Sequence, residues 1–306
     1  MTAEIHPEQA GFFDLSARTK LRITGADRLR YLNGQVSHAV RKATAHAAIH
    51  ACVLNAKGKI NADIFIHADG ESFLVDSDGE MREQLAARLD RYVIADDVQI
   101  EDVTEQFSLF HLLGAEAADV VADARAVCAS RYGFVGTDVW ATRAEHDLVA
   151  QRLALRLPLH DGAGEEAFRI ERGIPRWGRE LTEEIIPTEA NLESSAIDYA
   201  KGCYIGQEVI SRIKMSGQTN KRLCGLSTTA ETPLLSGMRL WTAAGGPKDI
   251  GWITSAAISP RLGKQIALGF VKRGYQAIGA QLEARAAEDA HHVGSVFVQI
   301  VALPFV

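Results

Sequence analysis

Ala51-Cys-Val-Leu-Asn-Ala-Lys-Gly-Lys-Ile-Asn-Ala-Asp-Ile-Phe-Ile66 carries two short apolar runs, 51–55 and 60–66, on either side of Ala56-Lys57-Gly58-Lys59. Glycine supplies the turn, so the stretch reads as a β-hairpin. Upstream, Lys20-Leu-Arg-Ile-Thr24 alternates like a strand, and Asp27 stands where it can cap a short helix from Arg28. Downstream, Ser72-Phe-Leu-Val-Asp76 follows the Asp69-Gly70 turn as a third strand. The period then changes. Met81, Leu85, Leu89 and Tyr92 fall at i, i+4, i+8 and i+11, which predicts a helix over about Gly79 to Tyr92. Asp97-Val-Gln-Ile-Glu101 returns as a strand. Hairpins in place of repeated crossover helices predict an α+β class and not a doubly wound parallel sheet. Phe107–Leu113 and the helix-like stretch Ala118–Arg125 offer the start of a second half of similar order, without a repeat that proves duplication.

Further along, Phe168 to Ile174 reads as a short helix ended by Pro175. Residues 177–200 contain one proline and one glycine, so they read as an ordered connection. After about residue 221 the character shifts. Six short alternating segments (222–227, 238–242, 251–257, 266–271, 281–284 and 295–301) are separated by glycine, proline and charged turns. That spacing predicts a small β-barrel or sandwich. Gly217-Gln-Thr-Asn-Lys-Arg222 fits a linker, giving an α+β domain over 1–220 and an all-β domain over 221–306.

The 306 residues are 47% hydrophobic and 24% charged, the composition of an ordinary globular chain of about two domains. The net charge of −6 argues against a broad nucleic-acid surface. No apolar run of about 18 residues predicts a membrane span. The N-terminus lacks the charged and apolar regions of a signal peptide, so the expected location is cytoplasmic. Cys52, Cys128, Cys203 and Cys224 show no Cys-x-x-Cys spacing and read as free thiols. His291-His292 reads as a solvated turn, and no resident metal is expected.

Lys201-Gly-Cys-Tyr-Ile-Gly-Gln-Glu208 is the stretch richest in chemistry. It sets a cysteine beside a lysine on a glycine-bracketed turn, ahead of helical spacing at Val209, Ile210 and Ile213. A helix start and a nearby ammonium both favour thiolate. The alternative is a small buried hydrophobe.

Completed by Arg212, this octapeptide resembles the signature of the YgfZ-type folate-binding proteins. These are relatives of the glycine-cleavage T-protein associated with assembly or repair of iron–sulfur clusters. Gly25–Ser37, Leu54–Lys59, Arg169–Leu181, Ile186–Ala190, Gly251–Ser255 and Ile266–Val271 resemble further family segments in the same order. The resemblance implies a T-protein-like fold with ferredoxin-like antiparallel sheets and a small C-terminal β-barrel. It also implies a pocket for tetrahydrofolate, or a one-carbon derivative, at the centre of the larger unit. Glu171 matches the pterin-binding glutamate, where one carboxylate can accept from adjacent ring N–H groups. Trp177 and Tyr204 offer flat aromatic neighbours. Gln207 belongs to the signature, and Lys201, Arg176 or Arg212 can pair with the anionic folate tail. Cys203, with Lys201, is the implied reactive group.

Two departures narrow the reading. T-protein aminomethyltransferases carry an aspartate pair on the second hairpin strand, and the matching positions here are Ala62 and Asp63. Strand alternation sends these two to opposite faces. Conversely, the signature cysteine belongs to the YgfZ-type branch. The expectation is therefore a tetrahydrofolate-binding accessory protein for iron–sulfur proteins, with assembly factors or client proteins as partners. The alternatives are a tetrahydrofolate-dependent aminomethyltransferase or demethylase, and an interaction protein with a vestigial pocket.

Overall fold

A computed structural model describes residues 10–114, 125–242, 249–286 and 295–306. The helix-like stretch expected at 118–125 lies outside the described residues up to 124, and the His291-His292 turn lies wholly outside them. By packing, the chain divides into two units. The first comprises Met1–Asp161 and Glu193–Ser211, the second Gly162–Leu192 and Arg212–Val306. Residues 162–192 therefore pack with the barrel, on the other side of a 220/221 boundary.

In the first unit, β1 (Gly11–Asp14), β2 (Thr19–Thr24) and α1 (Arg28–Gln35) precede the hairpin of β3 (Ile49–Leu54) and β4 (Ile60–Asp69). Asp27 occupies the cap position of α1, but no side-chain cap bond forms. Its carboxylate instead accepts from Asp97 N at 2.9 Å and pairs with Arg30. After β5 (Ser72–Ser77), the predicted helix begins as a 3-10 turn at Gly79–Met81 and continues as α2 (Arg82–Asp90). Met81, Leu85 and Leu89 are buried as the stripe predicts, while Tyr92 lies past the helix end and is exposed. With β6 (Gln99–Asp102), these strands form an antiparallel sheet in the order β3-β4-β5-β2-β6. β7 (Phe107–Leu113), β8 (Arg125–Ala129) and β9 (Gly136–Thr142) join β1 in a second, β1-β7-β9-β8.

Alternation along β7 and β9 gives the second sheet two buried faces. Phe110, Leu112 and Val139 pack on Val149 and Leu153 of α3 (His146–Ala154), while Leu109, Val127 and Trp140 meet Leu74 of β5. Buried charge bridges the sheets. Arg131 forks to Asp138 and Asp76, and Asp138 also accepts from His111 Nδ1 at 2.7 Å. Burial raises the Asp138 carboxyl, but Arg131 and His111 outweigh it and hold it well below the usual range.

In the second unit, α4 runs over Gly162–Glu171, earlier than the expected 168–174. It ends because Gly173 adopts φ +69° and Ile174 N turns back to Arg169 O at 2.9 Å, just before Pro175. All six predicted β-segments are present: β10 (Lys221–Thr228), β11 (Arg239–Thr242), β12 (Asp249–Ser259), β13 (Lys264–Lys272), β14 (Gln281–Arg285) and β15 (Val296–Val301). They close into a barrel in the order β10-β13-β12-β11-β14-β15. Closure leaves no free sheet edge. Among the described residues, no helix is long and apolar enough to cross a membrane.

Candidate functional site

The octapeptide returns to the first unit and lies on the β3–β4 hairpin tip because two glycines let it. Gly206 has φ +85°, and a Cβ there would stand 2.6 Å from Asn55 O. Gly58, at φ +71°, leaves the space that Val209 fills. Ile205 N donates to Gly34 O at 3.2 Å. Lys201 is buried, its Nζ donating to Asn33 O and Val36 O around the C-terminus of α1, over the Tyr204 ring at 4.7 Å. A cation there satisfies carbonyls that a helix end leaves without partners. Burial draws its pKa down to about 8, with Asp198 opposing. Tyr204 is buried too, and burial pushes its hydroxyl up to about 12.

Cys203 is exposed, so the small-buried-hydrophobe reading does not apply to it. The helix-start reading also needs correction. α5 (Glu193–Ala196) precedes the loop, and α6 (Gln207–Ser216) opens four residues after Cys203. The helix field falls off within one turn. Beside the loop, Leu29, Arg30, Asn33, Ala39, Arg41, Lys201 and Gly202 line a cleft of about 180 Å³. Arg30 there is paired with Asp27 and Asp96. The volume suits a small anionic group and falls short of the roughly 300 Å³ at which small-molecule sites begin.

On β4 the alternation argument holds. Ala62 is buried with Ile60 and Ile64, and Asp63 takes the other face. There Asp63 Oδ1 meets His50 Nε2 at 2.5 Å, diagonally across the hairpin, and the His50 ring stacks on Phe65 at 4.6 Å. Sequence reading missed His50, although the register of Cys52 opposite Asp63 and His50 opposite Phe65 contains the signal. Cys52, on the same face, is fully buried, which pushes its thiol well up.

Glu171, Trp177 and Arg212 belong to the second unit. Glu171 is only 3% exposed, so it is no solvated helix glutamate. Its Oε1 accepts from Ser259 Oγ and from Arg261 N at 3.4 Å. A buried carboxylate at a helix end fits a pterin contact through charged hydrogen bonds. Trp177 is half-buried and bridges to Leu181, while Arg176 is exposed and pairs with Glu166 at 3.4 Å. Arg212 is exposed on α6, and Gln207, half-buried, begins that helix in the first unit. Among the described residues, no group of three or more His, Cys, Asp or Glu side chains could hold a metal ion.

Two antiparallel sheets, a closed six-stranded barrel and a glycine-seated loop on the first hairpin define a T-protein-like architecture. The GCVT N-terminal domain family matches residues 3–154, and the glycine cleavage T-protein C-terminal barrel domain family matches residues 221–306. The chain belongs to the glycine-cleavage T-protein superfamily. It shares its fold with the glycine cleavage system aminomethyltransferase T from Bartonella henselae, at a TM-score of 0.84 and 18% identity over 97% of this chain and 86% of that one. An aminomethyltransferase from Saccharopolyspora erythraea is 28% identical, covering 97% of this chain and 86% of its own. An iron–sulfur cluster assembly factor IBA57 homolog, mitochondrial, from Pyricularia oryzae is 30% identical, covering 70% of this chain and 56% of its own.

Proposed function

We propose that this chain is a tetrahydrofolate-binding accessory protein in the assembly or repair of iron–sulfur clusters, of the YgfZ type, with the Cys203 thiol as its reactive group. The observation that carries the reading is a substitution of chemistries. Ala62 stands at the first position of the aspartate pair of aminomethyltransferases, whereas an exposed Cys203 stands on a loop whose Lys201 and Tyr204 are buried beneath it. The resemblance to an assembly factor supports the same direction. A cluster here is cargo. One thiolate cannot complete its coordination, so the remaining ligands come from a partner protein or a second copy. Glu171 accepts from the pterin ring, and Arg212, in the same unit, pairs with the anionic folate tail.

Tetrahydrofolate titration of the wild type and Glu171→Gln tests the folate part. Replacing a charged acceptor weakens binding by about 1.5–3 kcal/mol. An unchanged affinity removes Glu171 from the site, and no binding by the wild type at sub-millimolar ligand favours a vestigial pocket. The thiol is tested in a strain lacking the protein. Cys203→Ala fails to restore cluster-enzyme activity while it still binds folate; full restoration refutes the thiol role.

An aminomethyltransferase or demethylase is the second reading, favoured by the retained Asp63 and by relatives such as the Saccharopolyspora protein. It requires a carboxylate within hydrogen-bond reach of the reacting nitrogen. Asp63 is already held by His50, which weighs against it.

A further inference from the structure

His50 joins more than Asp63. Its Nδ1 lies 3.2 Å from Ser195 Oγ, so serine, imidazole and carboxylate stand in one hydrogen-bonded line inside the first unit. A carboxylate only accepts, so Asp63 Oδ1 accepts a hydrogen bond from Nε2–H. That fixes the tautomer and leaves Nδ1 as acceptor for the Ser195 hydroxyl. The two ring nitrogens exchange the parts they play in serine proteases, but the logic of orienter, base and nucleophile is the same, and such triads are recognised by geometry.

The surroundings hold this line in place. Phe65 stacks on the imidazole with an interplanar angle of 4°, and the Arg131 guanidinium lies 4.2 Å from the same Phe65 ring. The Asp63 backbone carbonyl accepts from Ser77 Oγ at 2.8 Å. Ser37 Oγ donates to Ala196 O at 2.6 Å and accepts from Cys52 N at 2.8 Å, which ties α5 to β3 and sets Ser195 over His50. The base and its orienter are largely sheltered, with side chains 13% and 20% exposed, whereas Ser195 is exposed.

We propose that Ser195, His50 and Asp63 form a second reactive site, an activated serine that takes acyl groups from small carboxylic esters. Ser195 Oγ forms a bond to the acyl carbon as its proton passes to His50 Nδ1. The ester C–O bond then breaks, and the leaving alkoxide takes that proton. Water repeats the sequence on the acyl-serine and releases the carboxylic acid, so the net reaction consumes one ester and one water. This activity goes beyond the folate and cluster reading and needs neither Cys203 nor Glu171.

The test uses the full chain and a fluorophosphonate probe, whose P–F bond is replaced by a P–Oγ bond with loss of fluoride and the hydroxyl proton. Intact-mass measurement and peptide mapping are expected to give one adduct, on Ser195, in the wild type and in Cys203→Ala. Ser195→Ala stays unlabelled with an unchanged near-ultraviolet circular dichroism spectrum. His50→Gln slows labelling about 100-fold or more, as loss of a general base does, and Asp63→Asn supplies the same comparison should His50→Gln misfold. No adduct on the wild type, an adduct elsewhere, or wild-type labelling rates in both of these variants overturns the proposal.

Discussion

His67 on β4 is buried at 2% exposure, with Nε2 unpartnered among the described residues and its ring 4.9 Å from Trp140. Burial draws its pKa from 6.5 to about 4, and Arg125 adds to this, against the opposing pull of Asp76, Asp138 and Asp69. Between those values the unfolded chain binds a proton that the native one does not, so stability falls as pH drops from 6.5 to about 4. Over the whole window the group withdraws about 3 kcal/mol. His111, lowered chiefly by burial, acts in the same direction. Urea unfolding of His67→Leu across this range should show a shallower pH slope, by about 1.4 kcal/mol per unit at most. An identical slope would mean that His67 titrates alike in both states. Nothing local in His-Ala-Asp predicts this. The burial comes from Trp140, 73 positions away, just as the carbonyls that hold Lys201 lie some 165 positions from it.

The hairpins, the α2 stripe and the six barrel strands are legible in the sequence because each is specified within about a dozen residues. Cap geometry is less so: Asp27 is a good cap by type, yet the competing Asp97 N and Arg30 take its carboxylate. The loop of the octapeptide is intermediate. Its glycines mark a turn, but only the packing shows that Gly206 and Gly58 face each other, a Cβ on the former coming 3.2 Å from the latter's Cα. Gly206→Ala combines a positive φ with a 2.6 Å approach to Asn55 O. The expected cost is about 1–3 kcal/mol. Because the loop must lift to relieve it, Cys203 should react faster with a maleimide in that variant; equal thermal stability and equal alkylation rate would show that the loop already yields.

For the molecule as a whole, α+β class and a closing barrel follow from the order of elements, whereas the membership of residues 162–192 does not. Nothing in that stretch reads as barrel. Its place there rests on long-range bonds such as Arg169 Nη2 to Ser255 Oγ at 2.6 Å and Leu223 N to Glu189 O at 2.8 Å. The candidate site is legible to the same degree. The family segments direct attention to Cys203 and Glu171, but the Ser195–His50–Asp63 line joins the hairpin to a segment about 130 residues later. The first unit is thus made from two separated pieces of chain, and this has a consequence for biosynthesis. A ribosome completes both sheets before the stretch 193–211 exists, and adds residues at roughly 5–20 per second. For several seconds the nascent sheets wait with the Asn33 and Val36 carbonyls uncapped and the Ser37 hydroxyl without Ala196, so the octapeptide loop is the last part of its own unit to arrive.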